Sequence, residues 1–272
     1  MIKPGEIQKI AGSQGLRDTQ IEKDYVIGWI LFGISRNEYL NSVLAFKGGT
    51  AIRKFYLKDY RLSEDLDFTF TQGNMDVIVL KSEFENTIKW VTDESRISLE
   101  LRDDKLHGTG NFNFYIGYVG PLGGKIENKD IKVDICDNEK LCSKAVKLPA
   151  FNEYSDLNEQ YTLECYNLSE IISEKMRSLM QRTMPRDLYD LWYFFEKENK
   201  DILDYVSEFK DKAVFKGLIP EKFSDTVNQK EFTFKKGWVT NLRMQIKNIP
   251  DFDTVWRELS RHFKKFNNYI ND

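Results

Sequence analysis

Hydrophobic and polar positions divide the chain into a part with mixed periodicity and a part that is helical throughout. Apolar residues recur at helical spacing over residues 17–34 and again over residues 77–92. Between them, residues 43–46 form a short apolar run, and residues 65–70 alternate polar with apolar side chains, as strands do. Residues 50–57, between these two strands, have helical character. The first part of the chain is therefore predicted to combine helices with strands.

A β-hairpin is predicted in the middle of the chain. Residues 112–118 alternate large apolar with smaller side chains, residues 120–124 read Gly-Pro-Leu-Gly-Gly, and residues 126–135 return as a strand. The returning strand carries Asp134 between two apolar residues. A carboxylate on such a sheet face costs free energy unless it is paired or binds a metal ion.

From Asn167 onward the pattern is helical to the end of the chain. Asn167, followed three residues later by Glu170, resembles a capping box at the start of a helix. Pro185 ends that helix and suits the first turn of the next one. We therefore expect an α/β domain over residues 1–165 and a helical domain over residues 166–272.

Composition and charge exclude several classes of protein. The 272 residues include 40 Lys and Arg against 43 Asp and Glu, so the net charge of −3 gives no global basic field for nucleic acid. The chain lacks an apolar run of about 18 residues for a membrane span, and its start lacks an apolar signal region. A cytoplasmic protein without membrane contact is the expectation. Three cysteines and two histidines argue against a disulfide framework and against histidine-based metal or triad chemistry.

Two short segments carry the candidate chemistry. Gly48 and Gly49 precede Thr50 where a strand gives way to a helix, and such turns let backbone N–H groups approach a phosphate. Asp65 and Asp67 lie two residues apart in a β-like run, so their side chains are predicted to point the same way. Together these residues are suited to hold Mg²⁺ against a triphosphate.

Phosphoryl transfer with two metal ions would use carboxylates on rigid strands and a positive side chain that offsets phosphate charge. Asp65, Asp67 and Asp134 are the candidate metal ligands, and Lys175 is the candidate cation. Taken singly, each feature also has a structural interpretation, such as a plain turn, a solvated edge strand or a surface lysine. Their joint occurrence in this order favours the functional interpretation.

These residues together resemble the AbiEii/AbiGii-type nucleotidyltransferase toxins, which belong to the polymerase-β-like nucleotidyltransferase superfamily. The resemblance covers about residues 17–195 and includes the charged triplet Glu22-Lys23-Asp24. Its motifs are Phe-Lys-Gly-Gly-Thr, Arg-Leu-Ser-Glu-Asp-Leu-Asp-Phe, an apolar-Asp-apolar strand, and Ser-Glu-Lys followed by Pro-Arg-Asp-Leu-Tyr-Asp-Leu.

The resemblance implies an α+β fold, in which a nucleotidyltransferase domain with a mixed sheet flanked by helices precedes a C-terminal helical bundle. It also implies the toxin of a bacterial toxin–antitoxin or phage-defence (abortive infection) system. The implied substrate is an NTP with Mg²⁺ as cofactor, the implied acceptor is RNA such as the 3′ end of tRNA, and the implied protein partner is a co-encoded antitoxin.

The resemblance also implies roles for individual residues. Asp65 and Asp67 match the metal-binding carboxylate pair, whereas the family does not always keep a third ligand such as Asp134. Asp190 is preferred to Asp187 as the last acidic position because Arg186 lies one turn back, but the spacing does not decide. Gly48, Gly49 and Thr50 match the nucleotide-binding turn, and Lys175 matches the lysine of the third motif. Ser63, a serine before the carboxylates, is a further candidate for nucleotide binding.

Two alternatives stay open at this point. The same fold could modify a protein or a small molecule, or it could bind nucleotides without turnover. The helical part also carries many Lys and Arg residues that could meet an RNA backbone, although a solvated face is the simpler interpretation. These residues are Lys200, Lys210, Lys212, Lys216, Lys235, Lys236, Arg257, Arg261, Lys264 and Lys265.

Overall fold

The computed structural model describes residues 1–106 and 110–271, and the chain divides into two compact units. The first unit comprises Met1–Glu139 and Ala145–Tyr166, and the second comprises Lys140–Lys144 and Asn167–Asp272. The chain therefore enters the second unit twice. The domain limits expected from the sequence, between residues 165 and 166, stay a prediction.

A seven-stranded mixed sheet with the strand order β3-β4-β5-β2-β1-β7-β6 organises the first unit. The pairs β1–β7 and β2–β5 are parallel and the others are antiparallel. The strands are β1 Leu44–Lys47, β2 Leu66–Phe70, β3 Ser98–Leu106, β4 Asn111–Val119, β5 Asp130–Cys136, β6 Val146–Pro149 and β7 Thr162–Cys165. The α-helices of this unit are α1 Pro4–Gln14, α2 Asp18–Arg36, α3 Glu38–Val43, α4 Gly48–Ala51 and α5 Val77–Ser95.

The central strands present one apolar and one polar face. Every second residue of β2, β4 and β5 is buried and apolar, whereas most residues between them are polar and only half-buried. Phe84 of α5 contacts Phe114 of β4 edge-on, with ring centroids 4.9 Å apart, so α5 covers the apolar face. Burial of these side chains drives the packing of helix on sheet. The buried strand residues are Leu66, Phe68, Phe70, Phe112, Phe114, Ile116, Ile131, Val133 and Ile135.

The second unit contains helices and turns but no strand among its described residues. Its α-helices are α6 Leu168–Gln181, α7 Pro185–Trp192, α8 Val206–Phe215, α9 Phe223–Asn228, α10 Glu231–Leu242 and α11 Phe252–Asn271. Phe223 is the centre of its aromatic core, because the rings of Phe209, Phe263 and Phe266 each meet it edge-on at 5.2 Å between centroids. None of the helices in the described part of the chain combines the length and apolar character that a membrane span requires.

The predicted α+β class, with a mixed sheet flanked by helices and further helices at the C-terminal end, is confirmed. The hairpin is also confirmed, since β4 and β5 pair antiparallel, although a 3₁₀ turn at Ile126–Asn128 delays the start of β5. Sequence patterns did not predict α1, α3, β3, β6 or β7. Strand β3 was not predicted because a run of four charged residues at the edge of the sheet, 102–105, interrupts the alternation begun by Leu99 and Leu101.

The start of α6 confirms one capping prediction and corrects another. The side chain of Asn167 accepts a hydrogen bond from the Ser169 N–H at 3.1 Å, as a helix cap does. Glu170 does not act as the partner of a capping box. Its carboxylate accepts the N–H groups of Cys142 and Ser143, both at 2.6 Å, because a fully buried carboxylate requires several donors.

Candidate active site

The glycine turn closes directly onto one of the candidate carboxylates. Gly48 has φ +79° at the end of β1, and the helix that starts there continues from α4 into a π-helical segment over Ile52–Tyr56. A Cβ atom at Gly48 would lie 2.5 Å from Oδ2 of Asp67. Glycine is therefore required here both for the backbone conformation and for the close approach of the turn to Asp67.

The segment that precedes β2 packs on the same turn. A Cβ atom at Gly49 would lie 2.8 Å from Oγ of Ser63 and 2.9 Å from Nη2 of Arg61. The hydroxyl of Thr50 donates a hydrogen bond to the backbone carbonyl of Asp65 at 2.6 Å. The structure therefore brings the two motifs recognised in the sequence together as one cluster.

A row of polar residues crosses the polar face of the sheet. Asp67 on β2 is the register partner of Lys47 on β1 and of Asp134 on β5, and Asp134 is the partner of Asn113 on β4. Directly opposed side chains of neighbouring strands lie on one face, with Cβ atoms about 5 Å apart. We call these four residues the polar row. Lys47 and Asn113 were not predicted as site residues, although Lys47 directly precedes the glycines in the sequence.

Lys47 lies at one end of the polar row with little freedom to move. Its residue is 8% exposed, and its Nζ lies 5.3 Å from the ring centroid of Tyr166, as in a cation–π contact. Tyr166 is itself fixed, because its N–H donates to the carbonyl of Phe46 at 2.8 Å and its hydroxyl lies 2.6 Å from Oγ1 of Thr69. The ammonium group is therefore held in a defined place beside Asp67.

Asp134 has a charged partner within its own strand. Nζ of Lys132 lies 2.6 Å from Oδ2 of Asp134, and about a third of each side chain is exposed. Burial lowers the pKa of Lys132, but the hydrogen bond with Asp134 outweighs it, so this pKa lies above its ordinary value. The ion pair with Lys132 therefore offsets the free-energy cost of placing the Asp134 carboxylate on the sheet. Its role as a metal ligand stays a prediction.

The donor set fits a divalent cation that takes few ligands from the protein. Asp65 and Asp67 are both half-buried and flank the buried Leu66. Among residues 1–106 and 110–271, no three His, Cys, Asp or Glu side chains are grouped closely enough to form a metal site by themselves. Mg²⁺ commonly binds through one or two carboxylates together with substrate phosphates and water, which is what a carboxylate pair beside a phosphate-binding turn would provide.

The charged triplet of α2 anchors the loops around this cluster. The Glu22 carboxylate is fully buried and accepts the N–H of Leu122 at 2.7 Å and Nζ of Lys129 at 2.6 Å, which fixes the hairpin loop. Nζ of Lys23 lies 3.3 Å from the carboxylate of Glu64, the residue before Asp65. The first two residues of the triplet therefore hold two different segments of the unit.

The third residue of the triplet, Asp24, anchors the helix that follows the glycine turn. Its carboxylate accepts Nε of Arg53 at 3.0 Å, Nζ of Lys54 at 2.6 Å and the hydroxyl of Tyr154 at 2.7 Å. Burial penalises the charge of Asp24, but Lys54 and Arg53 hold its pKa well below the ordinary value. Asp24 is therefore a buried anion on which the position of this helix depends.

In the second unit, Lys175 lies between the two acids that the sequence analysis could not separate. Its Nζ is 3.2 Å from Oδ1 of Asp187 and 2.6 Å from Oδ2 of Asp190, and all three side chains are buried. Interpreting Lys175 as a surface lysine is therefore wrong. Which of the two acids matters for the chemistry stays a prediction.

Asp187 has a second cationic partner. Nε of Arg182 lies 2.8 Å from its Oδ2. Burial alone would raise the pKa of Asp187, but Lys175 and Arg182 outweigh it and keep this pKa below its ordinary value. Asp187 is thus ionised at neutral pH and holds the lysine through its charge. The candidate residues of the two units are Asp65, Asp67 and Asp134 in the first, and Lys175, Asp187 and Asp190 in the second.

Three solved structures share the fold of this chain. MenT4, a nucleotidyltransferase toxin from Mycobacterium tuberculosis H37Rv, has 14% identity and a TM-score of 0.68, with 97% of this chain and 89% of that chain covered. JHP933 from Helicobacter pylori has 18% identity and a TM-score of 0.58, with coverages of 94% and 95%. A putative nucleotidyltransferase from H. pylori has 18% identity and a TM-score of 0.54, with coverages of 89% and 93%. The fold is thus that of nucleotidyltransferases.

Sequence comparison places the chain within one family of that class. The family described as "Nucleotidyl transferase AbiEii toxin, Type IV TA system" matches residues 29–258. The chain therefore belongs to the AbiEii nucleotidyltransferase toxin family of type IV toxin–antitoxin systems, and the resemblance noted in the sequence is confirmed. No curated protein matches the chain in sequence.

Proposed function

We propose that this protein is a toxin that transfers a nucleoside monophosphate from an NTP to an RNA acceptor, such as the 3′ end of tRNA. The observation that carries the proposal is the approach of the Gly48 turn to Asp67, beside Asp65 and within the polar row. Family membership supports it, because the family consists of nucleotidyltransferase toxins. The proposal includes action in the bacterial cytoplasm, a role in abortive infection, and neutralisation by a co-encoded antitoxin.

In this proposal the glycine turn binds the phosphates of the nucleotide. The first N–H groups of the helix that begins at Gly48 have no partner within the helix and would donate to phosphate oxygens. Thr50 holds Asp65 in place through its carbonyl, and Ser63, packed against Gly49, lies within reach of the same turn. Lys47 adds a positive charge at this end of the polar row.

Asp65 and Asp67 would hold Mg²⁺, and Asp134 is a proposed further ligand. The cation, when bound, would neutralise phosphate charge and favour ionisation of the acceptor hydroxyl. In the transfer step, the oxygen of the acceptor hydroxyl bonds to the α-phosphorus, the bond to pyrophosphate breaks, and the hydroxyl proton is released.

Lys175 is proposed to serve the same reaction as a compact positive charge toward the phosphates. Its two buried acidic partners restrict its side chain, so the side chain would lose little conformational entropy when the ammonium group binds a phosphate. Asp190 makes the shorter contact with Lys175 and is the acid that we assign to the functional position.

The test incubates purified protein with Mg²⁺, total bacterial tRNA and each α-labelled NTP in turn, followed by a denaturing gel. Asp67→Asn is compared with Asp93→Asn, a matched change at an exposed position of α5. We expect labelled RNA with the wild type and Asp93→Asn, and none with Asp67→Asn. Circular dichroism establishes that both variants are folded.

The remaining outcomes identify the alternatives. If label appears in a polypeptide or a small molecule, the protein is still a nucleotidyltransferase, but its acceptor is not RNA. Nucleotide binding without labelled product for any acceptor would make the protein a non-catalytic nucleotide binder. If the Asp67→Asn variant still transfers label, the assignment of the active site to the cluster around Asp67 is wrong.

A further inference from the structure

Charge is distributed unevenly between the two units. The segments that form the first unit contain 19 Lys and Arg against 26 Asp and Glu, whereas those of the second unit contain 21 against 17. The overall charge of −3 thus conceals a second unit with a net positive charge. A local excess of one sign on a surface attracts ligands of the opposite sign.

Part of this positive charge is arranged along one side of α11. Arg257, Arg261 and Lys264 are exposed and spaced four and three residues apart, which places them on the same face of the helix. We call these three residues the basic stripe, and it extends over about 10 Å at a rise of about 1.5 Å per residue. The opposite face of α11 is the apolar one, formed by Phe252, Val255, Trp256, Leu259, Phe263, Phe266 and Ile270.

The three cations are not engaged by the rest of the described chain. None of their side chains forms an ion pair or hydrogen bond with any residue that the structure describes, whereas neighbouring charges are paired. Lys265 binds Asp201 at 2.5 Å, and Lys235 binds Asp253 at 2.6 Å. Glu258 accepts a tryptophan N–H at 2.7 Å. The acids near the stripe thus have their own partners, which leaves the stripe's charge available to a ligand.

An open cleft adjoins the stripe at Arg261. It has a volume of about 400 Å³. Two carboxylates line it, and each is paired, Glu196 with His262 and Asp201 with Lys265. The further polar groups are Lys200 and Asn199. The side chain of Lys200 likewise has no ion-pair or hydrogen-bond partner in the described part of the chain. Cations outnumber carboxylates in the lining by three to two, and the concave site is large enough for a phosphate and its sugar.

We propose that the basic stripe and this cleft bind the phosphate backbone of the RNA acceptor; this inference rests on the proposed function. Phosphate contacts position nucleic acids through Arg, Lys and amide side chains, and Asn268 continues the face one turn beyond Lys264. A protein partner would instead require an apolar centre, since charged residues are depleted in the cores of protein interfaces. The stripe itself offers only charged side chains, and this favours RNA over an acidic protein.

The salt dependence of RNA affinity distinguishes binding through phosphate contacts from binding through uncharged contacts. Each phosphate neutralised by a cation lowers the slope of log K against log salt concentration by about 0.7 to 0.9. Three stripe residues that each contact a phosphate would therefore account for a slope of about 2 to 3. Loss of the stripe should weaken binding most at low salt, where counterion release contributes most.

The experiment measures binding of a fluorescein-labelled RNA hairpin with a single-stranded 3′ end to the full chain by fluorescence anisotropy, over a series of NaCl concentrations. The test variant is Arg257→Gln, Arg261→Gln, Lys264→Gln. The matched control is Lys222→Gln, Lys236→Gln, Lys247→Gln, which removes three exposed cations of the same unit from scattered positions. Circular dichroism confirms that both variants fold.

We expect at least tenfold weaker binding and a slope smaller by about 2 for the stripe variant, with little change for the control. In the transfer assay, KM for RNA should rise while kcat stays near the wild-type value. Equal losses of RNA affinity in both variants would show that only the net charge of the unit matters, and this would overturn the inference. A stripe variant that binds RNA normally but no longer binds its antitoxin would also overturn it.

The inference and the proposed function fail in different ways. If the wild type labels a protein but does not bind RNA, nucleotidyl transfer stands and the stripe assignment is wrong. If RNA binding depends on the stripe but no acceptor becomes labelled, the surface assignment stands and the transfer reaction is wrong.

Discussion

At the scale of single residues, Gly48 links the backbone of the turn to the chemistry of the cluster. We predict that Gly48→Ala reduces nucleotide transfer by more than about tenfold, because its Cβ would lie 2.5 Å from Oδ2 of Asp67 and displace the carboxylate. The positive φ adds a backbone penalty of about 1–2 kcal/mol to the free energy of folding. Label transfer and urea unfolding measure the two effects.

Gly73→Ala is the matched control for this prediction. Gly73 also has a positive φ, +63°, but a Cβ atom there would meet nothing within 4 Å. It should therefore cost similar stability and leave transfer unchanged. Equal loss of transfer in the two variants would show that backbone strain, and not crowding of Asp67, causes the effect.

Asp24 gives a residue-scale prediction about stability and pH. Asp24→Asn should lower the free energy of unfolding by about 3–5 kcal/mol at pH 7, because the buried Arg53 and Lys54 lose much of their charge compensation. The pKa of Asp24 in the folded protein lies below its unfolded value of about 3.9. Its stabilisation is therefore fully present above that value and is lost as pH falls through the folded pKa.

Urea unfolding at pH 7, 5 and 3.5 checks this sign. The free energy of unfolding of the wild type should exceed that of Asp24→Asn by the same amount at pH 7 and pH 5. This difference should begin to shrink at pH 3.5. Asp93→Asn, at an exposed position, serves as the control and should change little at any pH. A difference that grows as the solution becomes more acidic would contradict the assignment of Asp24 as a buried anion.

At the scale of elements, α6 and α7 are joined by the cluster of Lys175, Asp187 and Asp190. Lys175→Met should destabilise the protein by about 3–5 kcal/mol, because two buried carboxylates lose their shared cation. Adding Asp190→Asn should recover part of this stability, since one negative charge is removed, without restoring transfer. Urea unfolding and label transfer of the single and double variants separate the two roles. Additive losses of stability would disprove the coupling.

The same elements show which features sequence reasoning reaches. Asp67 could be placed because its neighbours in sequence set the alternation of the strand, and Gly48 because a turn is a local feature. The burial of Lys175 could not be predicted, since its partners come from a different helix. Glu170 had the spacing of a capping box, but donors from Cys142 and Ser143, more than 25 residues earlier, determine its actual contacts.

Register is the other property that local patterns do not contain. The polar row depends on β2 pairing with both β1 and β5, which are separated along the chain by more than 80 residues. Without that pairing, Lys47 is only the residue before a glycine turn, and Asn113 is only a polar residue in a hairpin. A single strand pattern fixes which face a residue occupies, but not which residue lies opposite it.

At the scale of the whole molecule, the chain supplies residues 140–144 to the second unit before it returns to the sheet. The buried Glu170 accepts two N–H groups from this segment. Lys212 forms an ion pair with Glu170 at 2.5 Å and donates a hydrogen bond to the carbonyl of Lys140 at 2.8 Å. A fragment cut at the predicted domain limit, residues 166–272, would leave these buried groups without their partners. Each lost hydrogen bond to a charged group costs about 1.5–3 kcal/mol.

We therefore predict that fragment 166–272 is less stable than the same fragment joined to residues 138–146 through a Gly/Ser linker. The linked fragment should unfold in urea at a higher concentration, because Glu170 regains the N–H groups of Cys142 and Ser143. Ser143→Pro in the linked fragment removes one of these donors and should reverse part of the gain. Equal midpoints for the three fragments would mean that the inserted segment contributes nothing to the fold of the second unit, and that the chain can be divided at residue 165 without loss.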